Sequence, residues 1–297
     1  FVLTSVDEGA NWVKRSVSGV TSLTKVISFE GISDKFCIVG YKVSDKSTNI
    51  YKTIDGANNF TNVYHSYNYI RDISKGSTLG TGFAIGWQSM TILTTDYGES
   101  WIDIYTGFGN SMTVILSRRN TGIVVAEGED SAFVTTNGGN SWFRNSPLHP
   151  FNAVIEDMAF VNPSDSSSLV ACGGGGDIFR TTDLGVSWEY NQNTKGGSLT
   201  TVQFVDSVGI TAGEDGTIFR STDGGIKWTP VTSGTNNIIY SVYLTPSVYW
   251  AVGDFTILKS NDQGQTWSIV RTSSDELYQD VIFINGVCIV VGYISSY

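Results

Sequence analysis

Between Leu199 and Val231 apolar and polar side chains alternate in four short runs, Leu199 to Val205, Gly209 to Gly213, Thr217 to Ser221 and Trp228 to Val231. Period-two alternation over runs this short, with turn residues between them, predicts four antiparallel strands. The last two runs are joined by Ser221-Thr222-Asp223-Gly224-Gly225-Ile226-Lys227-Trp228, a box of hydroxyl, any, Asp, any, Gly, any, any, aromatic. This box occurs seven times, at Ser5 to Trp12, Thr53 to Phe60, Thr94 to Trp101, Thr135 to Trp142, Thr181 to Trp188, Ser221 to Trp228 and Ser260 to Trp267. The short acid can accept the N–H groups of its own turn, the Gly supplies positive φ, and the aromatic anchors the hairpin. The expected structural residues are Asp7, Asp55, Asp96, Asn137, Asp183, Asp223 and Asp262. Asn137 replaces the acid, and Ala57 replaces the Gly, so the second turn is expected to be distorted or of another type.

The box aromatics Trp12, Phe60, Trp101, Trp142, Trp188, Trp228 and Trp267 are spaced by 48, 41, 41, 46, 40 and 39 residues. That is the length of a four-stranded propeller blade. The remaining units fit the same layout, with first strands at Val26 to Glu30, Ile70 to Ser74, Thr113 to Ser117, Asp157 to Val161, Tyr240 to Thr245 and Asp280 to Ile284. The chain opens with a third strand, Phe1 to Ser5, and closes with a first and a second, Asp280 to Ile284 and Gly286 to Gly292. These are the two halves of one blade. The expected fold is therefore all-β, a single seven-bladed propeller over residues 1–297, with its ring closed by pairing of the terminal strands. Two units carry expected loop insertions, Tyr41 to Asn49 in one and Ser146 to Asn152 with Asn162 to Ser168 in another.

Composition narrows the partners. With 28 acidic against 18 basic residues the net charge is −10, which repels phosphate backbones and excludes nucleic acid as a natural partner. No apolar run approaches the roughly 20 residues of a membrane span, so no membrane insertion is expected. The sequence opens at Phe1 inside a strand, consistent with a processed or trimmed N-terminus. Cys37, Cys172 and Cys288 fall at neighbouring points of three units and read as buried thiols, not as a disulfide or metal framework.

Glycine-ended strands followed by boxes, such as Ala212-Gly213-Glu214-Asp215-Gly216-Thr217-Ile218-Phe219-Arg220-Ser221-Thr222-Asp223-Gly224-Gly225 and Trp250-Ala251-Val252-Gly253-Asp254, resemble the repeat of the photosystem II stability and assembly factor family. That family sits within the Asp-box (BNR-type) propellers, which also include sialidases, xyloglucanase-type glycosidases and sortilin-like receptors. The resemblance covers nearly the whole chain and implies a non-enzymatic chaperone or scaffold outside the cytoplasm, whether secreted, periplasmic or in an organelle lumen.

Catalytic constellations are sparse. A sialidase-like site would need three converging arginines, and Arg180 and Arg220 occupy scaffold positions just before boxes. His65 and His149 lie in different units, which gives no support to a His-based triad or a multi-histidine zinc site. No catalytic residue, cofactor or metal is assigned, although two carboxylates at a glycosidase spacing would suffice for a hydrolase. The informative positions follow the Gly that ends each second strand: Tyr293, Tyr41, Trp87, Glu129, Gly174, Glu214 and Asp254. Equivalent positions form a ring on the face opposite the boxes, aromatic on one side and acidic on the other, with Asp72, Asp157 and Asp280 adding charge near their first strands. This face is expected to bind a protein or exposed polypeptide segment, within a larger assembly or alone. A carbohydrate-binding protein or glycosidase using the same aromatics is the alternative.

Overall fold

All seven boxes fold into one turn. The hydroxyl donates to the Asx Oδ1 at 2.7–2.9 Å and accepts the N–H of the fifth residue at 2.8–3.1 Å. The same Oδ1 accepts the N–H of the seventh residue at 2.9–3.0 Å. The Asn11 N–H and side-chain amide hold the Asp7 carboxyl down to about 2, and the Thr266 hydroxyl and N–H do the same for Asp262. Asn137 keeps the geometry without charge, because its amide nitrogen donates to Ser141 Oγ at 2.8 Å where the acids accept. The expected distortion at Ala57 does not occur. Ala57 takes φ 73, close to the 78–89 of its glycine counterparts, and its methyl is buried in an apolar cluster.

The computed structural model describes residues 1–29, 33–76, 79–104, 112–118, 121–126, 132–145, 154–162, 165–194 and 196–295. Strands follow the anticipated four-run layout, as in Leu199–Val205, Val208–Gly213, Ile218–Ser221 and Thr229–Val231, paired antiparallel in that order. The result is an all-β propeller of four-stranded antiparallel blades. Val2–Ser5 pairs with Val287–Ile294 in the register Val2↔Val291 to Ser5↔Cys288, so the terminal segments meet as expected.

Hydrogen bonding gathers the strands into six sheets, not the seven separate blades expected. Five have four strands. The sixth has six, because Tyr249–Ser260 and Ser268–Ile284 run unbroken where other units turn. In the preceding unit the second and third strands are parted by the 3-10 turn Glu214–Gly216, whereas here only Asp254 and Phe255 intervene, and Asp254 bridges to Leu277. Within that sheet Ile239–Leu244 pairs with residues 249–253, residues 256–259 with 268–272, and residues 276–284 with Val287–Ile294.

Apolar packing lies between consecutive units. Seven clusters are formed among the described residues, each drawing on two neighbours; one joins Val2, Ile282 and Val291 to Leu23, Phe36 and Ile38 across the closure. Trp12 packs on the cluster holding Val281 and Val290 and meets Trp250 edge-on. Cys37, Cys172 and Cys288 are free and buried, and burial pushes the Cys37 thiol up to about 12. Beneath the turns, the residue before the box hydroxyl reaches the next box. Lys52 Nζ donates to Tyr97 O and Glu99, Arg180 Nε to Gly224 O, Arg220 Nε to Gln263 O, and Lys259 Nζ to Glu8. Thr4, Leu93 and Val134 stand at the equivalent place in the other three units, and there Arg15, on the strand paired with Thr4, donates to the Thr4 hydroxyl and reaches Asn58 of the next box.

Two expected loops are hairpin extensions. Tyr41 pairs with Thr48 and Lys42 with Ser47, and Asn162 pairs with Asp165. The insertion Ser146 to Asn152 lies outside the described residues.

The turn geometry fixes an asymmetry between two substitutions. A Cβ on Gly225, at φ 79, would sit 2.6 Å from Val170 Cγ2. Gly225→Ala is expected to cost about 1–3 kcal/mol of stability. Ala57→Gly is expected to change it by less than about 1 kcal/mol, since relief of the left-handed backbone is offset by loss of a buried methyl. Urea unfolding midpoints at constant m-value would measure both; a larger effect at Ala57 than at Gly225 would contradict the equivalence of the turns.

Candidate functional site

The glycine ending each second strand sets the rim of the channel. Trp87, Gly174, Glu214 and Asp254 donate their N–H to Tyr69 O, Val154 O, Ser198 O and Ile238 O at 2.9–3.0 Å. A Cβ on the preceding Gly86, Gly173, Gly213 or Gly253 would lie 1.8–2.0 Å from that same carbonyl oxygen, a distance no side chain tolerates. Gly213 itself has φ −178, so the requirement is close approach, not backbone handedness. Gly292 repeats the device against Leu277 O and places Tyr293. Tyr41 departs from it, continuing the strand Phe36–Lys42.

Tyr41, Tyr69 and Trp87 form an aromatic run with ring centroids 6.5 and 5.3 Å apart, and Trp87 is 53% exposed. Tyr69 was not singled out from the sequence, although its place immediately before the first strand puts it between its two neighbours. On the acidic side Glu214 Oε2 accepts the Ser198 N–H at 2.9 Å. Burial raises the Asp254 carboxyl, opposed by the neighbouring Tyr240 hydroxyl. Burial likewise raises the Tyr240 phenol, with Asp254, Tyr293 and Glu214 adding to the shift. Gly174 begins the 3-10 turn Gly174–Gly176, and Glu129 lies outside the described residues.

First strands from the units wall a cavity of about 650 Å³ that reaches Tyr69 on one side and Glu214 with Tyr240 on the other. Each of the seven first strands carries a register shift, between Leu23/Lys25, Ile70/Asp72, Met112/Val114, Ile155/Asp157, Leu199/Thr201, Ile239/Ser241 and Tyr278/Asp280. Such bulges re-aim side chains. They put Asp72, Asp157 and Asp280 in the channel wall and not on the rim. Asp157 Oδ2 accepts the Val202 N–H of the next unit at 2.8 Å, and Asp280 Oδ2 accepts the Val26 N–H at 2.9 Å. Lys25, which sequence reasoning missed, lies 3.1 Å from Asp72. Enclosure disfavours its charge, but Asp72, Asp280 and Asp157 outweigh that and raise the ammonium above its ordinary value. Burial pushes Asp157 up to about 7 against the pull of Lys25. Higher on the wall Arg71 pairs with Glu156 at 2.9 Å. No group of three or more His, Cys, Asp or Glu among the described residues is placed to hold a metal ion.

No protein-family model matches the chain, and no curated protein matches it. Solved structures do. YCF48 bound to a D1 peptide superposes with a TM-score of 0.70 at 17% identity over 95% of this chain and 96% of that one. YCF48 from Cyanidioschyzon merolae gives 0.69 at 15% identity over 93% and 97%. The WD40 propeller domain of Doa1 gives 0.71 at 17% over 92% and 90%, and a GH74 enzyme from Niastella koreensis gives 0.60 at 14% over 92% of this chain but 43% of the enzyme. At these identities the likeness is one of fold.

Asp157 gives the channel a pH signature. Its folded value of about 7 exceeds the ordinary aspartate value of about 3.9, so between these limits the native state holds a proton that the unfolded chain has lost. Stability contributed by this group therefore falls as pH rises through that window. Asp157→Asn is expected to remove the slope, up to about 1.4 kcal/mol per pH unit. Urea titrations from pH 4 to 7 that give parallel curves for the two proteins would contradict it.

Proposed function

We propose that this chain is a non-catalytic interaction scaffold that holds an extended polypeptide segment across the channel mouth. One observation carries the reading: a single open cavity is bounded by Tyr69 of the aromatic run and by Glu214 and Tyr240 of the acidic side. Aromatic area supplies contact, and carboxylates orient the guest. The YCF48 structure of similar fold carries a D1 peptide, which is consistent with a peptide guest here.

The proposal includes a seven-unit ring of Asp-box (BNR-type) repeats forming one domain over residues 1–297. Seven equivalent turns, seven first-strand bulges and seven inter-unit clusters support it, with the six-stranded sheet read as two units joined through Asp254 and Leu277. It also includes a location outside the cytoplasm and a place in a larger assembly, both resting on the resemblance of the repeat.

Selection of a displayed peptide library on the immobilised protein tests the function. Trp87→Ala should speed dissociation of selected peptides, with a loss of about 2 kcal/mol or more if Trp87 is a hot spot. Asp223→Ala, in a box, should lower thermal stability and leave the affinity of the folded protein nearly unchanged. Equal loss from Val186→Ala on the box face, selective glycan binding on an array, or release of reducing sugar from any polysaccharide would overturn the reading.

A further inference from the structure

We propose that the bound segment is recognised through one basic side chain, lysine or arginine, which seats on the Glu214–Asp254 side of the mouth while an apolar or aromatic residue of the same segment lies on Trp87. The inference rests on the scaffold reading above and names the chemistry of its guest.

Charge around the cavity is unevenly answered. Its wall carries Asp72, Glu156, Asp157, Glu214 and Asp280 against Lys25 and Arg71. Deep in the channel Lys25 faces Asp72, Asp157 and Asp280, and Arg71 pairs with Glu156, so the wall acids already have cations close by. At the rim the situation differs. Among the described residues neither Glu214 nor Asp254 has an ion-pair partner. Their main chains are fixed by their own backbone N–H groups, so the points at which the two side chains leave the rim are set.

Asp254 supplies an observation independent of charge. Its Oδ1 is shut off from water and accepts no hydrogen bond, a condition that costs on the order of 1–3 kcal/mol for a polar atom. Rotation of a carboxylate about its last torsion is soft. An incoming ammonium or guanidinium beside Tyr240 can therefore be met by this oxygen as well as by the phenol and Glu214. A phosphate or carboxylate guest would meet like charge at the same place. Half-buried Tyr69 lines the far side of the same cavity and the exposed Trp87 packs beside it, so an extended segment that reaches both sides must carry its basic and apolar residues apart along its length.

The test uses the whole chain and a random peptide library of fixed length, sequenced after selection on wild type, on Trp87→Ala and on a Glu214→Gln, Asp254→Asn double variant whose melting is first checked against wild type. The inference expects enrichment of one Lys or Arg on wild type, and loss of that enrichment on the double variant while aromatic or apolar enrichment persists. A synthetic winner measured by fluorescence anisotropy should bind the double variant about tenfold or more weakly, and its Lys→Gln counterpart should bind both proteins alike. Peptides enriched without a basic residue, or a basic preference that survives in the double variant, would overturn the inference and leave the scaffold reading standing. No enrichment on wild type over Trp87→Ala would overturn both.

Discussion

A four-stranded blade has two apolar faces and no means of covering either alone, so everything in this protein depends on each unit being flanked on both sides. The clusters show how completely this holds: each takes residues from two consecutive units, and closure brings Ile282 and Ile289 of the terminal strands onto Phe36 and Ile38. Pairing of Val2–Ser5 with Val287–Ile294 is thus the step that turns a row of blades with two bare ends into a ring. The ion network at the same place reinforces it. Glu276 accepts from Lys14, Arg271 and the Tyr278 hydroxyl, tying the N-terminal segment to the long strand that joins the last two runs of pairing. Burial alone would raise Glu276, yet these three donors hold it down to about 2.

Local chemistry made the turns and the rim legible in the sequence, because each is decided within a few residues. Ser221, Asp223 and Gly225 bond to one another, and Gly253 is needed by a carbonyl fixed by the same short hairpin. Ala57 was misjudged from composition alone. Its backbone is held by the Thr53 hydroxyl and its methyl finds a pocket in the neighbouring unit, which no reading of eight residues could reveal. The sheet count failed for a related reason. Whether Gly253 is followed by a turn or by continuous pairing depends on Leu277, more than twenty residues away.

The channel was the least legible part, because its chemistry is made between units. Asp72, Asp157 and Asp280 share a repeat position and look like rim charges when aligned along the chain. Bulges at that position turn them inward, where Asp157 and Asp280 each accept an N–H from another unit and all three surround Lys25. Lys25 occupies the same bulge position, but nothing in its local sequence marks it as the answering charge. One cation meeting three acids across a closed wall can only be read once the units have been placed in a circle.

This division of labour has a consequence for how the two faces can change. On the box face each Asx side chain is engaged by its own turn, and Lys52, Arg180, Arg220 and Lys259 grip the next turn, so many polar groups there are already committed to the ring. On the other face the glycine–carbonyl contact fixes the backbone and leaves the following side chain outside the lock. Trp87, Gly174, Glu214 and Asp254 share one backbone hydrogen bond and carry three different chemistries, an aromatic ring, no side chain and a carboxylate. A position whose main chain is fixed by a neighbouring glycine can vary its side chain without loss of fold. Recognition can therefore be rewritten at the rim one residue at a time, while the same freedom on the box face would loosen the closure on which every blade depends.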